Sequence, residues 1–408
     1  MSEPDVPSVR IPAPLPDGVS QATIGVRGGL LRSGFEETAE AVYLTSGYVY
    51  SSAAEAEKAF TGDIDRYVYS RYGNPTISMF EERLRLIEGA PAAFATASGM
   101  AAVFTSLGAL LGAGDRLVAA RSLFGSCFVV CNEILPRWGV ETVLVDGDDL
   151  SQWEQALSVP TQAVFFETPS NPMQSLVDIA AVSEMAHAAG AKVVLDNVFA
   201  TPLLQQGFPL GVDVVVYSGT KHIDGQGRVL GGAILGDREY IDGPVQKLMR
   251  HTGPALSAFN AWVLLKGLET MSVRVNYSNA SAQRVAEFLE EHPAVRWVRY
   301  PYLASHPQHD LAKRQMSGGG TVVTLELDAP EGKAKDRAFE VLDKLQVIDI
   351  SNNLGDAKSL ITHPATTTHR AMGPEGRAAI GLGDGVVRIS VGLEGTEDLI
   401  ADLDRALG

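Results

Sequence analysis

The sequence predicts an α/β protein with a mostly parallel sheet in a large domain and a smaller α+β domain after it. Three observations carry this. Short apolar runs alternate with helical stretches between residues 90 and 236, longer helical segments follow, and strands and helices mix from residue 295 to the end. Alternation of the first kind reads as successive βα units, because each parallel crossover needs a helix to cover the sheet.

The apolar runs fall at 92–97, 116–120, 142–145, 163–167, 192–196 and 212–217, with helices expected at 100–111, 127–138, 150–157 and 179–189. A further run at 232–235 closes the set. Helices are then expected at 257–268 and 272–291, the second stopped by His292-Pro293. Runs at 295–299 and 320–327, a helix at 333–345, a strand at 386–391 and a terminal helix from Glu397 make the smaller domain. The expected organisation is an amino-terminal arm and segment over 1–62, an α/β domain over 63–256 and an α+β domain over 257–408.

The chain has 408 residues, 33 Lys+Arg against 49 Asp+Glu, and a formal net charge of −16. Nucleic acid and anionic membranes recruit basic stripes, so neither is an expected partner. With 45% hydrophobic residues and 20% charged, the composition is that of a globular protein and excludes a disordered or collagen-like chain. Cys127 and Cys131 cannot build a disulfide framework; at four-residue spacing they share a helix face, where buried, inert thiols are expected. The first 18 residues carry five prolines and neither a basic n-region nor an apolar h-region. A mobile arm on a cytoplasmic protein is the reading, and the sequons at Asn276 and Asn279 carry no glycan. The uncharged stretch 89–114 is long enough to cross a bilayer, but its small and polar residues favour a buried strand followed by a buried helix.

Ligands of such sheets sit at the carboxyl ends of the strands, and three features gather there. Lys221, in Ser218-Gly219-Thr220-Lys221, follows the run 212–217. A lysine desolvated at a buried strand end favours its neutral, nucleophilic amine. Asp196 ends the run 192–196, where a carboxylate can hold a pyridinium nitrogen protonated. Ser98-Gly99-Met100 joins a strand to a helix, whose free N–H groups form an anion site. Each has a plainer reading: a lysine reaching solvent, a turn aspartate, a serine N-cap. Together they describe a pyridoxal phosphate site better than any one does alone.

Four motifs, Tyr69-Ser70-Arg71-Tyr72-Gly73-Asn74-Pro75-Thr76, Glu167-Thr168-Pro169-Ser170-Asn171-Pro172, Ser218-Gly219-Thr220-Lys221 and Val387-Arg388-Ile389-Ser390-Val391-Gly392-Leu393-Glu394, resemble the Cys/Met-metabolism (transsulfuration) family of pyridoxal 5′-phosphate enzymes. The resemblance runs from about Thr23 to the carboxyl terminus. It implies the PLP-dependent transferase fold, aspartate aminotransferase-like (fold type I). By it, Lys221 is the catalytic residue, holding the cofactor covalently and shuttling protons, and Asp196 pairs with the pyridine nitrogen. Gly99, Met100, Ser218 and Thr220 hold the phosphate, and Asn171 lies near the cofactor's 3′-oxygen. Tyr69 and Arg71 reach the cofactor of a neighbouring subunit, to which segment 1–62 also contributes. That implies a dimer with shared sites, and the family pattern a homotetramer. Arg388 clamps the substrate α-carboxylate; read without the family, it is a paired strand arginine.

Two departures matter. Phe124 stands where the family usually has a cofactor-stacking tyrosine; it keeps the π-stack and loses the phenol as a proton carrier. Asn353, in Ser351-Asn352-Asn353-Leu354-Gly355, stands where many relatives carry serine and is assigned to substrate binding. Asp224 to Arg228, Val26 to Gly29 and Leu44 to Tyr50 are most similar to the branch that exchanges the succinyl group of O-succinyl-L-homoserine for sulfide, giving L-homocysteine in methionine biosynthesis. The loss of the phenol also favours γ-replacement over elimination. Cysteine as nucleophile or acetyl as leaving group shares every motif. Tyr217-x-x-x-Lys221 also has the spacing of short-chain NAD(P) oxidoreductases, but the two residues would have to share a helix. No metal site is expected: His306-Pro307-Gln308-His309 reads as a surface loop, and His363 and His369 as structural. Arg121 and Arg228 flank motif residues and are candidates for a distal carboxylate.

Overall fold

The computed structural model describes residues 11–408. The first ten residues of the expected arm lie outside that range. Seven strands form the large sheet: β1 (Ala92–Thr96), β2 (Arg116–Ala120), β3 (Glu141–Val145), β4 (Ala163–Glu167), β5 (Lys192–Asp196), β6 (Val214–Ser218) and β7 (Gly232–Gly236). Their order is β1-β7-β6-β5-β4-β2-β3. Only β7 is reversed: it pairs antiparallel with β1 and β6, and the remaining pairs are parallel. The physical cause is the connection from β6 to β7, which contains no crossover helix and so returns beside its own strand. β4 is buried along its whole length, as expected of a strand covered on both faces.

The smaller sheet is built from β8 (Val295–Arg299), β9 (Val322–Leu327), β10 (Asp349–Ile350), β11 (Leu360–Thr362) and β12 (Val386–Ser390), in the order β10-β11-β12-β9-β8. The two sheets have separate cores, and the helix Ala258–Glu291 contributes to both. Leu264, Leu265, Leu268 and Met271 pack into the large core; Val285, Ala286 and Leu289 pack into the small one.

Several sequence expectations are corrected. The helices expected at 257–268 and 272–291 are one helix, capped by Ser257. No Gly or Pro stands at 269–271 to break it, and burial of Met271 holds the turn together. The helix expected at 127–138 changes pitch: an α-turn at Gly125–Val129 passes through a π-turn at Val130–Ile134 into a 3-10 turn at Pro136–Trp138. Pro136 has no N–H to continue the α pattern. The strand expected at 212–217 is shifted to Val214–Ser218, so Ser218 is itself its last residue. His306 is buried rather than on a surface loop, and its Nε2 lies 3.1 Å from the Gln174 carbonyl. The uncharged 89–114 stretch is β1 followed by the helix Gly99–Leu110. Among the described residues no helix is long and apolar enough to cross a membrane.

Candidate active site

The carboxyl ends of β4, β5 and β6, the start of the helix Gly99–Leu110 and the Asn352 to Leu354 loop surround a cavity of about 230 Å³. Each wall has a local cause. Ser98 caps the helix, its Oγ accepting from the Ala101 N–H at 3.1 Å, a contact worth ~1 kcal/mol in typical helices. The Gly99 and Met100 N–H groups have no partner among the described residues, so the helix presents two donors to the cavity. Gly99 is required there: a Cβ would lie 2.6 Å from the Ser218 Cβ. The β6 strand end thus packs directly against the start of this helix.

Beyond Ser218, the Gly219 N–H donates to the Gly231 carbonyl at 2.8 Å and the Gly231 N–H to Thr220 Oγ1 at 3.2 Å. This tight return delivers Lys221 to the cavity, where its Nζ donates to Asn353 Oδ1. Burial, and then the Arg388 charge, push the lysine down to about 8, so its neutral form is far more accessible near neutral pH than that of a free lysine. Asp196 is buried at the end of β5 and accepts from the Val198 N–H at 3.1 Å. Burial pushes its carboxyl up to about 6.

Arg388, in β12, is fully buried. Its Nη1 donates to Asn171 Oδ1 at 2.9 Å, and its Nη2 to the carbonyls of Asn352 and Asn353 at 2.9 and 3.1 Å. Its Nε has no partner among the described residues. Arg388 is therefore not a paired strand arginine: it faces no carboxylate within ion-pair distance and keeps a donor for an anion.

These residues fit pyridoxal phosphate. Helix N–H groups and the Ser218 and Thr220 hydroxyls would hold its phosphate, Asp196 its ring nitrogen, Lys221 its aldehyde carbon and Phe124 its ring face. Asn171 lines the same cavity; because its Oδ1 accepts from Arg388, its Nδ2 is the end left to donate to the cofactor. Tyr69 and Arg71 do not line the cavity of their own chain. Tyr69 is 41% exposed, and the Arg71 guanidinium lies over the Tyr69 and Tyr72 rings at 5.2 and 4.9 Å and donates to the Arg250 carbonyl.

Sequence reasoning missed Glu167 and Cys127 as lining residues. Glu167 ends β4 opposite Asp196 on β5, and its oxygens accept from the N–H groups of Phe124 and Asn171. Burial, and then the Asp196 charge, push it up to about 8. The available signal was an acid closing an apolar strand, the same signal that marked Asp196. Cys127 and Cys131 are buried as expected, with thiols pushed up by burial.

Arg121 faces Asp146 and the Leu144 carbonyl, Arg228 faces Asp224, and neither lines the cavity. His363 is held by Thr366 and the Asp384 carbonyl, and His369 Nε2 lies 3.0 Å from the Asn171 carbonyl. Tyr217 ends in β6 and donates to the buried Glu88, so it shares no helix with Lys221. The oxidoreductase reading falls with that. Among the described residues no cluster of His, Cys, Asp or Glu forms a metal site.

Residues 22–408 match the model of the Cys/Met metabolism PLP-dependent enzymes, and the chain belongs to that family. It is 88% identical to the O-succinylhomoserine sulfhydrylase of Mycobacterium tuberculosis, over 99% of both chains, and 45% identical to that of Pseudomonas aeruginosa over 96% of each. Among solved structures, the cystathionine gamma synthase of Xanthomonas oryzae pv. oryzae in complex with cystathionine superposes with a TM-score of 0.89 at 33% identity, covering 95% of this chain and 98% of that one. The fold is that of this family, and the protein is a PLP-dependent enzyme.

Proposed function

We propose that the protein replaces the succinyl group of O-succinyl-L-homoserine with sulfide, releasing L-homocysteine and succinate for methionine biosynthesis. The 88% identity to an O-succinylhomoserine sulfhydrylase across nearly the whole chain carries this reading. When bound, pyridoxal phosphate supplies an electron sink for charge developed at the substrate's Cα. Arg388 receives the substrate α-carboxylate through its fork of donors, which turns the Cα–H bond toward Lys221. The Lys221 amine removes that proton and then one from Cβ. Succinate leaves Cγ with its C–O bonding pair, sulfide sulfur takes the vacated carbon, and Lys221 returns the protons. Asp196 holds the proton on the ring nitrogen throughout. Phe124 packs on the ring face and excludes water without offering a second proton carrier, which supports replacement over elimination.

The assembly is at least a dimer with shared sites, and a tetramer by the family pattern. Tyr69 and Arg71 serve the neighbouring subunit, to which the described part of the amino-terminal segment, residues 11–62, also contributes. The exposed apolar side chains of that segment support this: Phe35 is 92% and Val49 89% exposed, and the helix Ala53–Thr61 buries none of its residues. Residues 63–256 form the cofactor domain and 257–408 the smaller domain, and the enzyme works in the cytoplasm. Asn353 supports the substrate end of the site beside Arg388. The test is a product assay with O-succinyl- and O-acetylhomoserine, each with sulfide and with cysteine. Homocysteine from the succinyl ester and sulfide is expected to predominate; predominant cystathionine would move the enzyme to the synthase branch.

A further inference from the structure

Glu167 is a buried acid to which the reaction as described gives no part, yet its two oxygens are engaged by two different segments that line the cavity. One accepts from the Phe124 N–H at 3.0 Å, at the start of the helical run that presents the stacking ring. Phe124 is the N-cap and has no side-chain cap, and Glu167 satisfies its backbone N–H from another strand, as the acid of a capping box does from within a helix. The other oxygen accepts from the Asn171 N–H. Asn171 is in turn fixed at its carbonyl by His369, at 3.0 Å, and at its side-chain oxygen by Arg388, at 2.9 Å. The chain Phe124–Glu167–Asn171–Arg388 therefore runs from the ring face to the carboxylate clamp through direct hydrogen bonds.

We propose that Glu167 is a positioning residue that sets the stacking ring and the Asn171–Arg388 pair in one fixed relation, and so determines how the substrate carboxylate is received. A carboxyl group suits both duties because, protonated or not, each of its oxygens keeps a lone pair that can accept. A glutamine must aim its NH₂ at one of the two backbone N–H groups, and one link is lost. Loss of either hydrogen bond leaves a buried N–H without its partner, and it acts here on residues that line the cavity. The inference rests on the γ-replacement reading. A parent enzyme that forms no homocysteine would expose the failure of that reading before any variant is compared.

The test uses the holoenzyme and the variants Glu167→Gln, Glu167→Asp, Asn171→Ala and the double variant Glu167→Gln/Asn171→Ala. Glu167→Gln should fold and bind pyridoxal phosphate with an affinity within a few-fold of the parent, since Lys221, Asp196 and the phosphate turn are untouched. Its visible circular dichroism should fall, because the ring environment loosens. Its KM for O-succinylhomoserine should rise tenfold or more, by a larger factor than kcat falls. The KM effects of Glu167→Gln and Asn171→Ala should be far from multiplicative, because both cut the same chain. An unchanged KM and dichroism, with only a lowered melting temperature, would overturn the proposal, as would multiplicative effects. If Glu167→Gln does not fold, Glu167→Asp decides. Its carboxylate is too short to reach both N–H groups, so the same rise in KM is expected, and a KM at the parent's value overturns the proposal.

Discussion

In the proposed reaction Lys221 carries the protons and Phe124 offers no second carrier, and each makes a separate prediction. Lys221→Ala should lose turnover by a factor of about 10² to 10⁴ or more, the range for a general acid–base group. After borohydride treatment it should also release its cofactor on denaturation, whereas the parent should retain it as a reduced secondary amine. A variant that stays active and covalently yellow would refute the assignment. Phe124→Tyr restores a phenol beside the ring without changing the stack, and should raise 2-oxobutyrate formation in the absence of sulfide; product analysis checks it. Arg388→Lys keeps the charge and loses the fork that meets both the substrate carboxylate and Asn171. It should raise KM tenfold or more. Asp196 and Lys221 were legible in the sequence because each ends a long apolar run in a fold whose ligands sit at strand ends. Glu167 ends such a run as well, but its importance depends on lying opposite Asp196 and on joining the nearby Asn171 N–H to the Phe124 N–H from a loop 43 residues away. No local pattern contains that information.

Strand ends and helix starts set the cavity's shape, and the start of the helix Gly99–Leu110 is tightly constrained. Gly99→Ala would drive a Cβ into Ser218. It should weaken cofactor binding at least tenfold, measured by titrating the apoenzyme with pyridoxal phosphate, with little change in the fold. A second element-scale prediction concerns Glu88, the last residue of the helix Pro75–Glu88. It is buried against the Tyr217 hydroxyl, and burial pushes it up to about 8. Its unfolded value is about 4.3, so between those two pH values the folded chain keeps a proton that the unfolded chain has lost. Its contribution to stability is full below about pH 4 and is lost as pH rises through about 8. Glu88→Gln should therefore show a smaller fall in Tm than the parent between pH 6 and pH 9. Most strands were legible because their apolar runs are short and bounded by turns. The single helix Ala258–Glu291 was not: its middle, Glu269-Thr270-Met271, looks polar, and only packing of Met271 against the large core shows that the helix continues.

Across the whole molecule, the proposed site takes Tyr69 and Arg71 from a second copy. Lys221→Ala and Arg71→Ala subunits mixed and allowed to exchange should recover activity that neither has alone. In the hybrid, one site carries both lesions and the other carries none. No recovery despite verified exchange would mean that each chain serves its own site. The central claim is that the assembled enzyme replaces the succinyl group rather than eliminating it. The measurement that tests this most directly is the ratio of homocysteine formed to succinate released at saturating O-succinylhomoserine, with and without sulfide. The account predicts a ratio near one with sulfide and little succinate without it. Equal succinate release in both cases, with 2-oxobutyrate as the main product, would contradict it.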